Sequence, residues 1–339
     1  MLSYKRWIGA FLVLVLILTC FACGNIGMHQ DETEENSDLI VVGFSQPGAE
    51  SAWRVALTDS VKEAFTEEKG YKLIYKDGQS KQDNQIRDIR KFIQQGVDYI
   101  ILCPIVETGW DTVLSEAKQA GIPVIICDRN VVVSNESLYT AFVGSDFKAE
   151  GEKAIARMEE LYPESIEGEG PEVNILHIQG TLGSSAQLGR SHALEKALEE
   201  HTNWHILAQD CGEFTKAKSR EIMKRFLEEV NIRDVDVIYC ENDEEAFGAM
   251  AALNEAGLGY GKDTNLRIIS FDATESALEF CMSGQIDLVV ECNPLQGPYL
   301  YNIIEMLNDD KTVPKITYVD ENYFTSENLS SEIIQRRKY

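Results

Sequence analysis

Residues 122–129 read Ile-Pro-Val-Ile-Ile-Cys-Asp-Arg. A short β-branched run with no polar interruption stops abruptly at a carboxylate and a guanidinium. A strand that is apolar on both faces is covered on both faces, as in a parallel sheet flanked by helices. The phrase returns at 267–272 as Arg-Ile-Ile-Ser-Phe-Asp. A second echo pairs Val97-Asp-Tyr-Ile-Ile101 with Val235-Asp-Val-Ile-Tyr239. The step from 97 to 235 nearly equals the step from 128 to 272, so one βα pattern runs through the chain twice.

Outward from these echoes the alternation continues. Strand-like runs are expected at 39–45, 71–77, 99–103 and 123–128, then at 173–178, 205–210, 235–240 and 266–272. Between them lie amphipathic stretches such as 52–69, 82–96, 110–120, 186–200, 215–229 and 244–256. Strands alternating with helices predict an α/β fold with two doubly wound parallel-sheet lobes of four or five strands each. The break between lobes is expected near 142–146, and 164–171 reads as a polar loop.

The composition agrees with a folded, exported protein. Of 339 residues, 44% are hydrophobic, which excludes a wholly disordered chain. Fifty-six acidic against 31 basic residues leave a net charge of −25, which argues against a nucleic-acid partner. Lys5 and Arg6 precede an uncharged apolar stretch that ends in Ala22-Cys23-Gly24. This predicts a lipoprotein signal over 1–23, with Cys23 acylated and Cys20 as the other candidate. Residues 24–38 read as a flexible acidic tether. The chain is therefore expected outside the cytoplasmic membrane and anchored to it by lipid.

Cys103, Cys127, Cys211, Cys240, Cys281 and Cys292 remain, with no CxxC pair and no zinc spacing. Their disulfide state is open. His201 and His205 are the only suggestive histidine pair, and no metal or cofactor is expected. The chain has no G-x-S-x-G elbow, GxGxxG or HExxH motif, so an enzyme is not expected either.

Open parallel sheets bind ligands beyond the carboxyl ends of their strands. In one lobe those ends carry Ser45, Asp128 and Arg129, with Glu50, Trp53 and Arg54 just past the first strand. In the other they carry Gly180-Thr181, Asn242, Asp243 and Asp272, with Arg190 following a Gly/Ser-rich loop. A Trp face suits the C–H patches of a sugar ring, and arginine forks and carboxylates suit vicinal hydroxyls. Other roles stay open at this point: sheet packing for Trp53, surface charge for Arg54 and Arg190, and turn capping for Asn242, Asp243 and Asp272.

Several stretches carry a family resemblance. They are V-G-F-S-Q-x-G-x-E-S-x-W-R at 42–54, D-G-Q-x-K-Q-x-N-Q-I at 77–86, P-x-V-x-T-G-W at 104–110, I-P-V-x-x-x-D-R at 122–129 and Q-G-T-x-G-S at 179–184. The chain resembles sugar-binding proteins of the ribose/galactose-binding type, the capture subunits of ABC importers, and among them galactofuranose-binding proteins. The resemblance implies a type I periplasmic binding protein fold with a three-segment hinge. It places Ser45, Glu50, Trp53, Arg54, Asp128, Arg129, Arg190, Asn242, Asp243, Asp272 and Glu291 around a monosaccharide, with Cys127 and Cys292 flanking it. It also implies an N-terminal lobe of 39–144 plus 273–292 and a C-terminal lobe of 145–272 plus 293–339. The expected partners are a furanose-type sugar and an ABC permease, and the protein is expected to be a monomer. A sensory protein presenting its ligand to a membrane receptor is the alternative.

Overall fold

The computed structural model describes residues 39–164 and 170–339. The signal over 1–23, its Cys23, the tether over 24–38 and residues 165–169 of the polar loop lie outside the described residues. Among the described residues no helix is long and apolar enough to cross a membrane.

The first lobe begins with β1 (Ile40–Gln46), α1 (Ala52–Ala64), β2 (Tyr71–Asp77) and α2 (Gln82–Gln95). It continues with β3 (Tyr99–Leu102), α3 (Asp111–Gln119), β4 (Val124–Asp128) and β5 (Ala141–Gly144). The chain then crosses into α4 (Phe147–Leu161), β6 (Val173–Gln179), α5 (Ser185–Glu200) and β7 (Trp204–Cys211). There follow α6 (Lys216–Glu229), β8 (Val237–Cys240), α7 (Asp243–Glu255), β9 (Arg267–Asp272), α8 (Glu275–Ser283) and β10 (Leu288–Glu291). The last elements are α9 (Gly297–Asn308), β11 (Ile316–Tyr318), β12 (Tyr323–Phe324) and α10 (Ser331–Gln335).

The sheets are ordered β11-β5-β4-β3-β1-β2 and β12-β10-β9-β8-β6-β7. The two orders superimpose strand for strand, and β4 and β9 hold the same place. The echo of 122–128 in 267–272 is therefore a structural repeat. Each sheet has six strands rather than four or five, because short β5 and β10 and late β11 and β12 complete them. Pairing is parallel except that β12 runs antiparallel to β10. Helices cover both faces, so β3, β4, β8 and β9 bury nearly every residue.

The expected division of the chain is corrected at its C-terminal end. β10 pairs in register with β9, Glu291 beside Asp272, so 273–292 belongs to the second lobe. α9 packs on α1 and β11 pairs with β5, so 293–318 belongs to the first. Only the end of the chain, from β12 onward, returns to the second lobe. The three crossings lie after β5, after β10 and between β11 and β12. No crossing occurs at Asp272.

Four helices start at the cleft, and their caps are set by sequence. Ser51 Oγ accepts from the Arg54 N–H at 3.1 Å, and Asp146 Oδ1 from the Ala149 N–H at 3.1 Å. Ser184 Oγ accepts from the Gln187 N–H at 3.3 Å, and Asn242 Oδ1 from the Glu245 N–H at 2.9 Å. Each cap satisfies an otherwise orphaned N–H of a first helical turn. It fixes where the chain turns after a strand, and so where the side chains of that turn point.

Candidate functional site

The carboxyl ends of the two sheets face one small cavity. From the first lobe come Glu50, Ser51, Trp53, Arg54, Asp128 and Arg129. From the second come Phe147, Ala186, Arg190, Phe214, Asn242 and Asp272, and Cys292 stands at the crossing. The lobes also touch beside the cavity. The Asn130 N–H donates to Ser185 Oγ at 2.8 Å, and the Glu107 N–H to the Gly183 carbonyl at 2.9 Å.

Asp128 and Asp272 stand at equivalent strand ends, and both have left-handed backbones, φ 59° and 103°. L-residues rarely adopt this conformation, and it costs about 1–3 kcal/mol. The turn swings each carboxylate off the end of its strand and into the cleft. The same strained turn in both halves marks the two positions as matched.

The three arginines differ in how far their donors are already used. Arg54 donates from Nε to Glu50 Oε1 at 3.1 Å and from Nη1 to Asp128 Oδ2 at 2.5 Å. Its guanidinium stands 4.8 Å from the centre of the Trp53 ring. Arg190 donates from Nε to Glu150 Oε2 at 2.8 Å, from Nη1 to the Glu241 carbonyl, and from Nη2 to Asp272 Oδ1 at 3.5 Å. It is also sandwiched between Phe271 and Phe147. Among the described residues Arg129 makes one hydrogen bond, Nη1 to the Ile105 carbonyl at 3.2 Å, and its nearest carboxylate contact is Asp128, at 3.9 Å. Burial and the neighbouring Arg54 cation push its pKa below the ordinary arginine value. A buried guanidinium with most donors unspent is costly unless something accepts from them.

Carboxylates complete the picture. Burial alone would push the Glu50 carboxyl up, but Arg54 and Arg129 hold it below the usual range. Among the described residues its Oε2 has no hydrogen-bond partner. Burial pushes Asp272 well above the usual range, and Arg190 offsets only part of that. Asp272, from one lobe, and Arg129, from the other, thus share a cavity with complementary unmet demand.

Eight of the eleven residues expected at the site line it: Glu50, Trp53, Arg54, Asp128, Arg129, Arg190, Asn242 and Asp272. Trp53 both packs and lines, since it is 4% exposed and its Nε1 donates to the Cys292 carbonyl at 2.5 Å. Asn242 caps α7 and still reaches the cavity. Three expectations are corrected. Ser45 faces away and donates to Asp88 Oδ2 at 3.5 Å. Asp243 lies behind the wall, accepting from Ser270 Oγ and from both the N–H and Oγ1 of Thr274. Glu291 does not line the cavity and is taken by Arg337, Tyr339 and Asn322.

Ser51, Phe147, Ala186 and Phe214 line the cavity but were not expected there, while Cys292 was expected only as a flank. Gly180 makes room for Phe214: a Cβ on it would lie 1.9 Å from the Phe214 ring. The Phe214 ring in turn lies 5.1 Å from the Arg129 guanidinium, across the cleft. His201 and His205 do not form a pair. Both nitrogens of His201 meet Glu164 and Glu159, and His205 meets Glu172.

Comparison with known proteins adds a context. The family described as "Periplasmic binding protein domain" matches residues 42–311. The galactofuranose-binding protein YtfQ of Escherichia coli (strain K12) is 35% identical over 300 residues, spanning 88% of this chain and 92% of that protein. A crystal structure of a galactofuranose binding protein superimposes with a TM-score of 0.81 at 33% identity, covering 88% and 98% of the two chains. The binding component of an arabinose ABC transporter from Shewanella sp. ANA-3, solved with α- and β-L-arabinofuranose, gives a TM-score of 0.79 at 37% identity. It covers 88% of this chain and 95% of its own.

Proposed function

The chain belongs to the periplasmic binding protein family, and from that premise we propose that it captures a monosaccharide in the furanose form, galactofuranose or a close analogue. One observation carries the proposal: Arg129 and Asp272, from facing lobes, line one small cavity with their hydrogen-bonding capacity largely unspent. Vicinal sugar hydroxyls supply both an acceptor and a donor to such a pair. The named ligands of two similar proteins, galactofuranose and L-arabinofuranose, support a five-membered ring.

Binding follows from the geometry. The ring lies among Trp53, Phe147 and Phe214, whose faces cover its C–H patches. Arg129 donates to hydroxyl oxygens, and Asp272 and Glu50 accept from hydroxyl protons. Charged hydrogen bonds of this kind contribute about 1.5–3 kcal/mol each. Because the donors and acceptors come from both lobes, the sugar completes its contacts only when the lobes are closed. Ligand therefore raises the closed population by its differential affinity for that state. The site reads as recognition rather than catalysis, since Glu50 and Asp128 already engage Arg54.

The closed, loaded protein then delivers its sugar to an ABC importer, as a monomer held to the outer face of the membrane by acylated Cys23. Substituting Cys23 by Ala and labelling cells with a palmitate analogue tests the anchor.

The sugar itself is tested by thermal melting against L-arabinose, D-galactose, D-fucose, D-ribose, D-fructose and myo-inositol. A ligand that binds only the folded state stabilises it by about 2.7 kcal/mol at a hundredfold excess over Kd. A shift confined to arabinose, galactose and fucose supports the proposal. A shift with ribose or fructose alone, or with none, refutes it.

A further inference from the structure

Beside the sugar cavity, the three crossings between lobes meet at one buried cluster. Ser145 comes from the first crossing, Cys292 from the second and Glu321 from the third. Glu150, in the first turn of α4, faces them. Oxygens of Glu150 and Glu321 and the Cys292 sulfur lie within 4.8 Å of one another. Ser145 Oγ sits 3.3 Å from Cys292 Sγ and donates to Glu321 Oε1, which also accepts from the Asn293 N–H at 2.8 Å.

The cluster has one unmet need. Glu150 is fully buried, and only Oε2 is satisfied, by Arg190. Among the described residues its Oε1 has no hydrogen-bond partner. A buried carboxylate oxygen without a donor is expensive. The nearby Lys153 ammonium donates to the Glu321 backbone carbonyl at 3.1 Å, not to this oxygen. Burial pushes the Glu150 carboxyl and the Cys292 thiol up and the Glu321 carboxyl up to about 9, so an ion bound here displaces protons from its donors.

We propose that Glu150, Cys292 and Glu321 bind a divalent transition-metal ion of the zinc class at the hinge. One sulfur and two oxygens suit a borderline ion rather than calcium or magnesium, which take oxygen ligands alone. Ser145 Oγ or a water fills the fourth position. Bonds of about 2.0–2.3 Å in a tetrahedron put ligand atoms roughly 3.5 Å apart. The present edges reach at most 4.8 Å, so binding draws the second and third crossings toward α4. Cys292 also carries the carbonyl that holds Trp53, and Glu150 holds Arg190. The ion thus braces the closed arrangement of two residues that line the sugar cavity. By linkage, metal and sugar then raise each other's affinity by the same factor.

The site is tested on the purified, chelator-treated protein with Co²⁺ as an optical stand-in for zinc, followed by displacement with Zn²⁺. The expected result is one Co²⁺ per chain with a thiolate-to-cobalt charge-transfer band in the near ultraviolet, bleached by Zn²⁺. Cys292→Ser removes the band. Glu321→Gln, which keeps the acceptor for Ser145 and Asn293, weakens Zn²⁺ binding at least tenfold. His201→Gln, on the distant surface pair, leaves the band intact. Absence of a thiolate band in the wild-type protein overturns the proposal, and so does a band that persists in Cys292→Ser. Because the readout needs no sugar, its failure leaves the sugar-binding reading untouched, and the reverse holds as well.

Discussion

Replacing Arg129 and Arg190 in turn should have opposite consequences, although both are buried cleft arginines. Arg190 is spent on the protein: Glu150, Asp272 and the Glu241 carbonyl accept from it. Arg190→Ala leaves two buried carboxylates unpaired, which costs about 3–5 kcal/mol of stability. Arg129 has one carbonyl partner and a cation for a neighbour. Its removal takes away burial cost and repulsion together with one hydrogen bond and the attraction to Asp128 and Glu50, so stability should fall by less than in Arg190→Ala. The loss appears in binding instead. Two charged hydrogen bonds to hydroxyls at about 1.5–3 kcal/mol each amount to roughly 3–6 kcal/mol. At about 1.4 kcal/mol per decade, affinity falls by about 10²- to 10⁴-fold. Urea unfolding without sugar and calorimetric titration with L-arabinose measure the two effects separately. The reasoning is refuted if Arg129→Ala unfolds as easily as Arg190→Ala, or if it binds sugar within about threefold of the parent.

Three further outcomes follow from the same geometry. Gly180→Ala pushes the Phe214 ring aside, because the new Cβ would lie 1.9 Å from it; sugar affinity should fall at least tenfold, and an unchanged Kd contradicts a wall role for Phe214. Trp53→Phe deletes the indole donor to the Cys292 carbonyl and an indole in the cavity wall; ligand-induced change in tryptophan fluorescence should largely vanish, and a retained signal assigns it to another Trp. Burial opposes the charge on His201, but hydrogen bonds to Glu164 and Glu159 outweigh it and raise its pKa above 6.5. That stabilisation is complete below the unfolded value and is lost as pH rises through the folded one. On this half-screened surface it is worth about 0.5 kcal/mol, so His201→Gln should destabilise at pH 5.5 and have no effect at pH 9; equal destabilisation at both values of pH refutes the ion-pair account.

What could be read in the sequence follows a physical pattern. The strands ending in Asp128 and Asp272 were legible because a fully buried strand must be apolar, and a carboxylate at its end must then face something. Their equivalence was legible because the echo preserves both features. The lobe membership of 273–318 was not, because β5 and β10 are equally apolar and only register decides which sheet each joins. Ser45 and Glu291 lie at strand ends and Asp243 opens α7, but protein partners engage each of them away from the cavity. Glu291, for example, is claimed by Arg337, which is 46 residues distant in sequence. Phe147 and Phe214 carried no signal in the sequence, and in the fold they are core residues that also bound the cleft.

The most direct test of the account is a crystal structure of the protein grown with L-arabinose, in the parent and in Asp272→Ala. The account expects one furanose ring in the cleft of the parent, with a hydroxyl oxygen within about 3 Å of an Arg129 nitrogen and another within about 3 Å of Asp272. It expects no sugar in the variant. Sugar bound outside the cleft, or a ring in the cleft that touches neither Arg129 nor Asp272, would contradict it.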